Sequence, residues 1–430
     1  MHRALLPLAL GLVLAGCKKS PPPPTPDSPI VKVPLPKASE PARCVPASHA
    51  PFVLGPSDTG RVGANAGNDA GFMAEEILPF AAEVGDAVAW AGGFAVGAVH
   101  ESEKARAVSV VTLDADGKNG KVISLGAAHG DIEPPRLAAR GSLLVVGVLE
   151  PEPNGRSLRL AKIDSGAVTW GSTVHEKGGE SLAFDIGLGE KKGIVVWDED
   201  GPNVGLIQVS TFDVGTPANA TPPRTISSAT TDAESPRLLP REGGGYWLAY
   251  IARSGGEEDY DARYVAEEIG FRWIEVAQLD ANGSPLSSPR AATPKDGHVM
   301  VFDMAEAPGG GATLVYRYDD TPSGSSGGNV MRVSVHPSVI DPPAVIVEGD
   351  VGPGVPTILP GWLAVLDAAE ATKLAPIGPA GDLTAPLVAE PEVGSGEPLA
   401  LGPGGVLVAR PSGRSVKLAV VKCVAPAPDN

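Results

Sequence analysis

Aromatic residues make up only 5% of this 430-residue chain, and basic residues are scarce as well. The 34 Lys and Arg face 51 Asp and Glu, which leaves a net charge of −17 with no basic cluster. That excludes a nucleic-acid surface, because neutralising phosphates requires grouped cations. A polyanionic partner or an anionic membrane surface is disfavoured for the same reason. No apolar run reaches the roughly 20 residues needed to cross a bilayer as a helix. The seven His residues show no H-E-x-x-H or paired-ligand spacing.

The chain is rich in glycine and proline, with 54 Gly and 44 Pro. With so few rings, that favours many short strands joined by turns over long helices. The unit is visible at Gly92-Gly-Phe-Ala-Val-Gly-Ala-Val-His100 followed by Ala107-Val-Ser-Val-Val-Thr-Leu-Asp-Ala-Asp-Gly117. It reads as two antiparallel strands, the second ending in the Asp and Gly of a tight hairpin. Residues just after such glycine turns are Phe94, Leu143, Ile194, Tyr246, Ala312, Trp362 and Val406, separated by 49, 51, 52, 66, 50 and 44 residues. Each opens an apolar strand and is followed by a partner, several of which alternate apolar and polar as a half-wet strand does. Two lead-in segments align closely, Asp131-Ile-Glu-Pro-Pro-Arg-Leu137 and Asp232-Ala-Glu-Ser-Pro-Arg-Leu238. A period near fifty with four short strands per unit is the signature of a β-propeller. The expected fold is therefore all-β, a seven-bladed propeller of four-stranded blades; a β-sandwich array or a β-helix is the alternative. Glu75-Glu-Ile-Leu-Pro-Phe80 precedes the first marked strand, while the seventh repeat stops at Cys423 without an outer strand of its own. The N-terminal segment is thus expected to complete the last blade.

At the N-terminus, His2 and Arg3 precede the apolar run Ala4-Leu-Leu-Pro-Leu-Ala-Leu-Gly-Leu-Val-Leu14, about the length of a signal-peptide core. Leu14-Ala-Gly-Cys17 resembles the lipobox of bacterial lipoproteins. That resemblance implies cleavage before Cys17, a diacylglyceryl thioether on its sulfur and acylation (palmitate) of the new amine. With buried acyl chains contributing ~0.8 kcal/mol per CH₂, it also implies a stable membrane anchor. Lys18 rather than Asp after the Cys resembles Gram-negative lipoproteins of the outer membrane. The expected organisation is a signal peptide over 1–16, a Pro-rich tether over 17–46, an irregular lead-in over 47–74, the propeller over 75–423 and a tail over 424–430. As polyproline II, near 3.1 Å per residue, the tether could hold a domain several nanometres from the lipid.

Other motifs carry less. Gly324-Ser-Ser-Gly-Gly328 has the G-x-S-x-G spacing but no strand before it and no helix after it. Asp114-Ala-Asp-Gly-Lys-Asn119 and Asp198-Glu-Asp-Gly201 bunch oxygen ligands without the closing Glu of a calcium loop, and read as hairpin turns. Asp164-Ser-Gly-Ala-Val-Thr-Trp170 is similar to the Asp box of sialidase-like propellers, with the Trp one residue late and the leading Ser absent. Residues 116–121 resemble the blade motif of PQQ-type propellers, with Ser124 in the place of the docking Trp. These single-repeat likenesses imply propeller geometry and no activity.

In a ring so built, one face gathers the loops from outer to inner strands and those between the two middle strands. It carries His129, Asp131, Glu133, His175, Glu176, Asp232 and Glu234, plus the insertion containing Asp259, Tyr260 and Arg263. The rim is a candidate recognition surface, with solvated loops as the plain alternative. The sequence assigns no catalytic residue, metal or cofactor. Its leading functional expectation is a lipid-anchored envelope interaction module that binds a protein or glycan. The alternative is an envelope hydrolase or lyase using Asp, Glu and His at the central face. With Cys17 lipidated, Cys44 and Cys423 remain in an oxidising envelope where the two chain ends must meet, so they are expected to pair; two free thiols is the alternative.

Overall fold

The computed structural model describes residues 31–32, 42–47, 51–55 and 82–425, excepting 102–105, 129–131, 154, 179–181, 217–219, 255–270, 320–327, 353, 368, 370, 390–392 and 395. The chain is an all-β propeller of seven four-stranded antiparallel blades, with no helix among the described residues. Blade 1 comprises Glu83–Trp90, Gly93–Glu101, Arg106–Leu113 and Lys121–Ala127; blade 2 comprises Arg136–Arg140, Leu143–Glu152, Gly155–Asp164 and Ala167–Gly178. Blade 3 is Phe184–Leu188, Lys192–Asp200, Gly205–Asp213 and Arg224–Thr225; blade 4 is Thr231–Pro240, Tyr246–Ser254, Arg272–Leu279 and Arg290–Ala291. Blade 5 is Val299–Ala307, Gly311–Tyr318, Gly328–Val335 and Ala344–Val351; blade 6 is Thr357–Leu359, Trp362–Leu366, Thr372–Pro376 and Val388–Ala389. Blade 7 is Glu397–Gly402, Gly405–Ser412 and Ser415–Val424, completed from the N-terminal side by Arg43–Pro46 and Phe52–Leu54.

The glycine turns do mark the repeat, but the strand after each turn is second from the axis. The innermost strand is the one before it. The reason is burial: second strands are sandwiched on both faces, so Phe94, Val96 and Val99 or Leu144, Val145 and Val146 are fully buried and read as continuous apolar runs. Inner strands such as Arg136–Arg140 carry charge and are less completely buried.

The core is divided into seven clusters, each shared by two neighbouring blades. Ala95, Val99, Val108 and Val110 of blade 1 pack with Leu137, Leu144 and Val146 of blade 2, and Phe94 and Val96 pack on Leu407 and Leu418 of blade 7. Each buried Val or Leu contributes about 1.5–3 kcal/mol, and no blade buries its faces alone, so the fold is stable only as a closed set. Two glycines let backbones meet between blades: a Cβ at Gly97 would lie 2.1 Å from Pro135 O, and one at Gly404 would lie 1.5 Å from Ala115 O.

Closure uses both ends of the chain. Arg43–Pro46 and Phe52–Leu54 pair antiparallel with successive parts of Ser415–Val424. The closing strands therefore come from residues assigned by sequence to the end of the tether and to the lead-in; Glu75 to Phe80 lies outside the described residues. Cys44 faces Cys423 directly across this ladder and forms the expected disulfide, with Cα atoms 4.0 Å apart. Further back, Val31–Lys32 adds a short parallel strand to Ala344–Val345 on the outer edge of blade 5.

Candidate functional site

On the loop-rich face, the described residues of the predicted rim are locked into ion pairs. Glu133 Oε1 lies 3.4 Å from Arg156 Nη1, and Glu234 Oε1 lies 2.6 Å from Arg272 Nη2. Asp232 accepts the Gly205 N–H at 2.6 Å through Oδ1 and pairs with Arg253 through Oδ2. His175 stacks at 5.4 Å on buried Trp197, and its Nε2 faces Glu199 Oε1 at 3.3 Å without hydrogen-bond alignment. Glu176 belongs to the outer strand of blade 2, its side chain outside the described residues; His129, Asp131, Asp259, Tyr260 and Arg263 also lie outside them. Sequence reasoning missed the guanidiniums of Arg156, Arg253 and Arg272, which hold these acids in place.

Nor is Asp198 a turn residue, as the Asp-Glu-Asp-Gly reading expected; it sits within the second strand of blade 3. It ties the residue before the inner strand of blade 3 to the inner strand of blade 4, accepting the Ala183 N–H at 2.7 Å and the Ser235 N–H at 2.9 Å. Ser235, in the second copy of the repeated motif, adopts φ of 55°, the left-handed geometry that aims its N–H at Asp198. Desolvation pushes the Asp198 carboxyl up to about 6, with Glu234 and Asp200 adding to the rise against those N–H bonds. Asp114, by contrast, caps its hairpin: Oδ1 accepts from the Asp116 and Lys118 N–H groups and Oδ2 from Asn119 Nδ2.

A second arrangement surrounds the axis. Leu137 N–H donates to Asp86 Oδ2 at 2.9 Å, Leu238 N–H to Asp185 Oδ2 at 2.7 Å and Ile358 N–H to Asp303 Oδ2 at 3.0 Å. Blades 1, 3 and 5 thus each clasp the inner strand of the next blade with one carboxylate. Asp86 is half-buried on the inner strand of blade 1. Burial pushes its carboxyl up to about 6 against the pull of Arg136 and the Leu137 N–H; burial likewise raises Asp303.

Between blades 6, 7 and 1 lies a pocket of about 430 Å³ on the loop-rich face. Its wall includes Val84, Val355, Thr357, Leu366 and Pro411, and two carboxylates, Glu83 and Glu397, which open the inner strands of blades 1 and 7. Glu397 presents open surface to the pocket, yet loss of hydration there raises its carboxyl above the usual range. A carboxyl raised by loss of hydration, in a pocket whose wall also holds a second acid, fits general acid–base work. A separate pocket of about 480 Å³, lined by Glu242, Glu306 and Pro308, opens on the opposite face.

Fold and cleft together define a seven-bladed propeller with a largely apolar pocket on its loop-rich face that holds two carboxylates, Glu83 and Glu397. No protein-family model and no curated protein matches the chain. Among solved structures, a PL25 ulvan lyase bound to a GlcA–Rha3S polymer is similar, with a TM-score of 0.52, 9% identity, and 80% of this chain and 96% of that chain covered. Hydrazine synthase of Kuenenia stuttgartiensis gives 0.49, 15%, 84% and 100%, and the α-L-arabinanase of Penicillium chrysogenum gives 0.44, 12%, 71% and 93%. At such identities the likeness is one of fold.

Proposed function

We propose that this chain is a polysaccharide-acting enzyme of the cell envelope, a hydrolase or lyase working in the pocket between blades 6, 7 and 1. The observation that supports it is Glu397, whose carboxyl is raised by loss of hydration in a pocket whose wall also includes Glu83. In hydrolysis, protonated Glu397 donates to the leaving glycosidic oxygen while the Glu83 carboxylate activates water or attacks the anomeric carbon. In elimination, a carboxylate removes the proton beside a uronate carboxyl and the protonated partner serves the leaving oxygen. A propeller of similar fold that acts on a uronate polymer makes a glycan the class to test first. Anchorage completes the proposal: acylated Cys17 holds the propeller to the outer membrane on its Pro-rich tether.

The test is incubation of the soluble Cys17→Ser chain with a panel of neutral and acidic polysaccharides, reading new reducing ends for hydrolysis and unsaturated-uronate absorbance for elimination. Activity on at least one polymer is expected, lost in Glu397→Gln at unchanged melting temperature. Inactivity of a folded chain across the panel returns the protein to the interaction-module reading. That reading is favoured by one observation of its own, the rim over blades 2 to 4 whose carboxylates are fixed by Arg156, Arg253 and Arg272.

A further inference from the structure

The three stretches of chain that supply most of the pocket between blades 6, 7 and 1 carry charge of one sign. Residues 75–99, 352–372 and 388–409 contain no Lys, Arg or His, against nine Asp and Glu. Among the described residues of the wall, Glu83 and Glu397 are the charged side chains, and the rest are small, aliphatic or hydroxylic, with Thr357 and Thr372 the side-chain donors. The cations nearest in sequence stay out of the wall. Arg410 alternates along its strand with the pocket-lining Ala409 and Pro411, so its side chain leaves from the other face. Lys373 is paired with Asp367, Nζ to Oδ2 at 3.2 Å, and Arg414 does not line the pocket.

This distribution of charge discriminates between substrates and between reactions. A uronate or a sulfate ester brought into the pocket would set its negative charge beside a carboxylate, in a cleft whose apolar walls screen like charges poorly. The net charge of −17 opposes an anionic polymer from further away as well. Elimination asks for still more. Removing the proton beside a uronate carboxyl builds negative charge on that carboxyl, which a cation or a set of strong donors must receive. Hydrolysis asks for the opposite: its oxocarbenium-like transition state is positive at the anomeric carbon, and a nearby carboxylate stabilises it. Val84, Val355, Leu366 and Pro411 then suit the C–H faces of an uncharged sugar ring.

We infer that the pocket takes an uncharged polysaccharide and cleaves it by hydrolysis, acidic polymers being excluded by the one-signed wall. This rests on the enzymatic reading and narrows it to one substrate class and one reaction. In the step, the bond between the anomeric carbon and the glycosidic oxygen breaks and the leaving oxygen takes the Glu397 proton. Water supplies the hydroxyl that ends on the anomeric carbon and returns one proton to the two carboxyls, so no other reactant is consumed.

The experiment incubates the soluble full-length Cys17→Ser chain with neutral polymers (arabinan, xylan, glucomannan) and acidic ones (polygalacturonate, alginate), each acidic polymer beside its carboxyl-reduced, uncharged form. Low-salt buffer is used, where repulsion is least screened. New reducing ends report hydrolysis and unsaturated-uronate absorbance reports elimination, while calorimetry with the Glu397→Gln chain reports binding of oligosaccharides from the same polymers. Hydrolysis of at least one uncharged polymer is expected, with no unsaturated product and at least tenfold weaker binding and turnover of any acidic polymer than of its reduced form. Val355→Lys sets a cation at a wall position that is 43% exposed and should shrink that preference at least tenfold. Faster turnover of an acidic polymer than of its reduced form, or any unsaturated product, overturns the inference and leaves the enzymatic reading standing. Binding of uncharged oligosaccharides without turnover removes the enzymatic reading and keeps the uncharged ligand. Neither binding nor turnover of any uncharged polymer by a folded chain overturns both.

Discussion

Replacing Asp86 by Asn separates the hydrogen bond between blades 1 and 2 from the charge that comes with it. The amide oxygen can still accept the Leu137 N–H that Asp86 Oδ2 accepts at 2.9 Å. The carboxyl it replaces is raised from 3.8 to about 6, chiefly by burial. Between those values the folded chain binds more protons than the unfolded one, so stability falls as pH rises through this window and levels off above about 6. At 1.36 kcal/mol per pH unit, the rise corresponds to about 3 kcal/mol, an upper figure because the side chain is only half-buried. For a domain of this size that is on the order of 4 °C in melting temperature. Asp198 is raised in the same direction and contributes its own slope to both proteins. The quantity to measure is therefore the difference between parent and Asp86→Asn in melting temperature or urea midpoint from pH 4 to pH 7. The variant should be the more stable near pH 7 and have the shallower decline from acid to neutral. Parallel curves, or a variant less stable than the parent at pH 7 by more than the value of one hydrogen bond, would refute the reasoning.

Two further outcomes follow from the ends of the chain. Reduction, or the Cys44→Ser variant, removes a cross-link between residues 379 apart in sequence and should lower stability by up to about 6 kcal/mol on the chain-entropy estimate; alkylation and intact mass under non-reducing denaturing conditions should find neither thiol free. Cys17→Ser should move the protein from detergent-extracted membranes into the soluble envelope fraction, and unchanged partitioning would sink the lipid anchor.

The blade count was legible because each repeat turns at glycine before its most buried strand, a signal as regular as the turn itself. The innermost strands were not, since Phe184–Leu188 and Thr357–Leu359 are too short to show a period and their neighbours carry the apolar load. The closing strands escaped notice for a related reason: Arg43–Pro46 and Phe52–Leu54 hold only four and three residues, and their partner is more than 360 positions away. The carboxylate clasps are invisible in principle, because Asp86, Asp185 and Asp303 bond to backbone N–H groups, which every residue but proline offers. Glu83 and Glu397 came into the site only when the first residues of two distant strands met at one mouth.

The way the ring is closed also sets how it answers a pull. Force arriving along the chain from the N-terminal side first meets two parallel pairings, Val31 and Lys32 on Ala344 and Val345, and these can yield alone. The next resistance is Cys44, where the load passes through sulfur to Cys423 and into the longest strand of blade 7. Beyond that point the short strand Phe52–Leu54 and blade 1 are shielded from tension. A pull from the N-terminal side thus meets a covalent stop at Cys44 before it reaches blade 1.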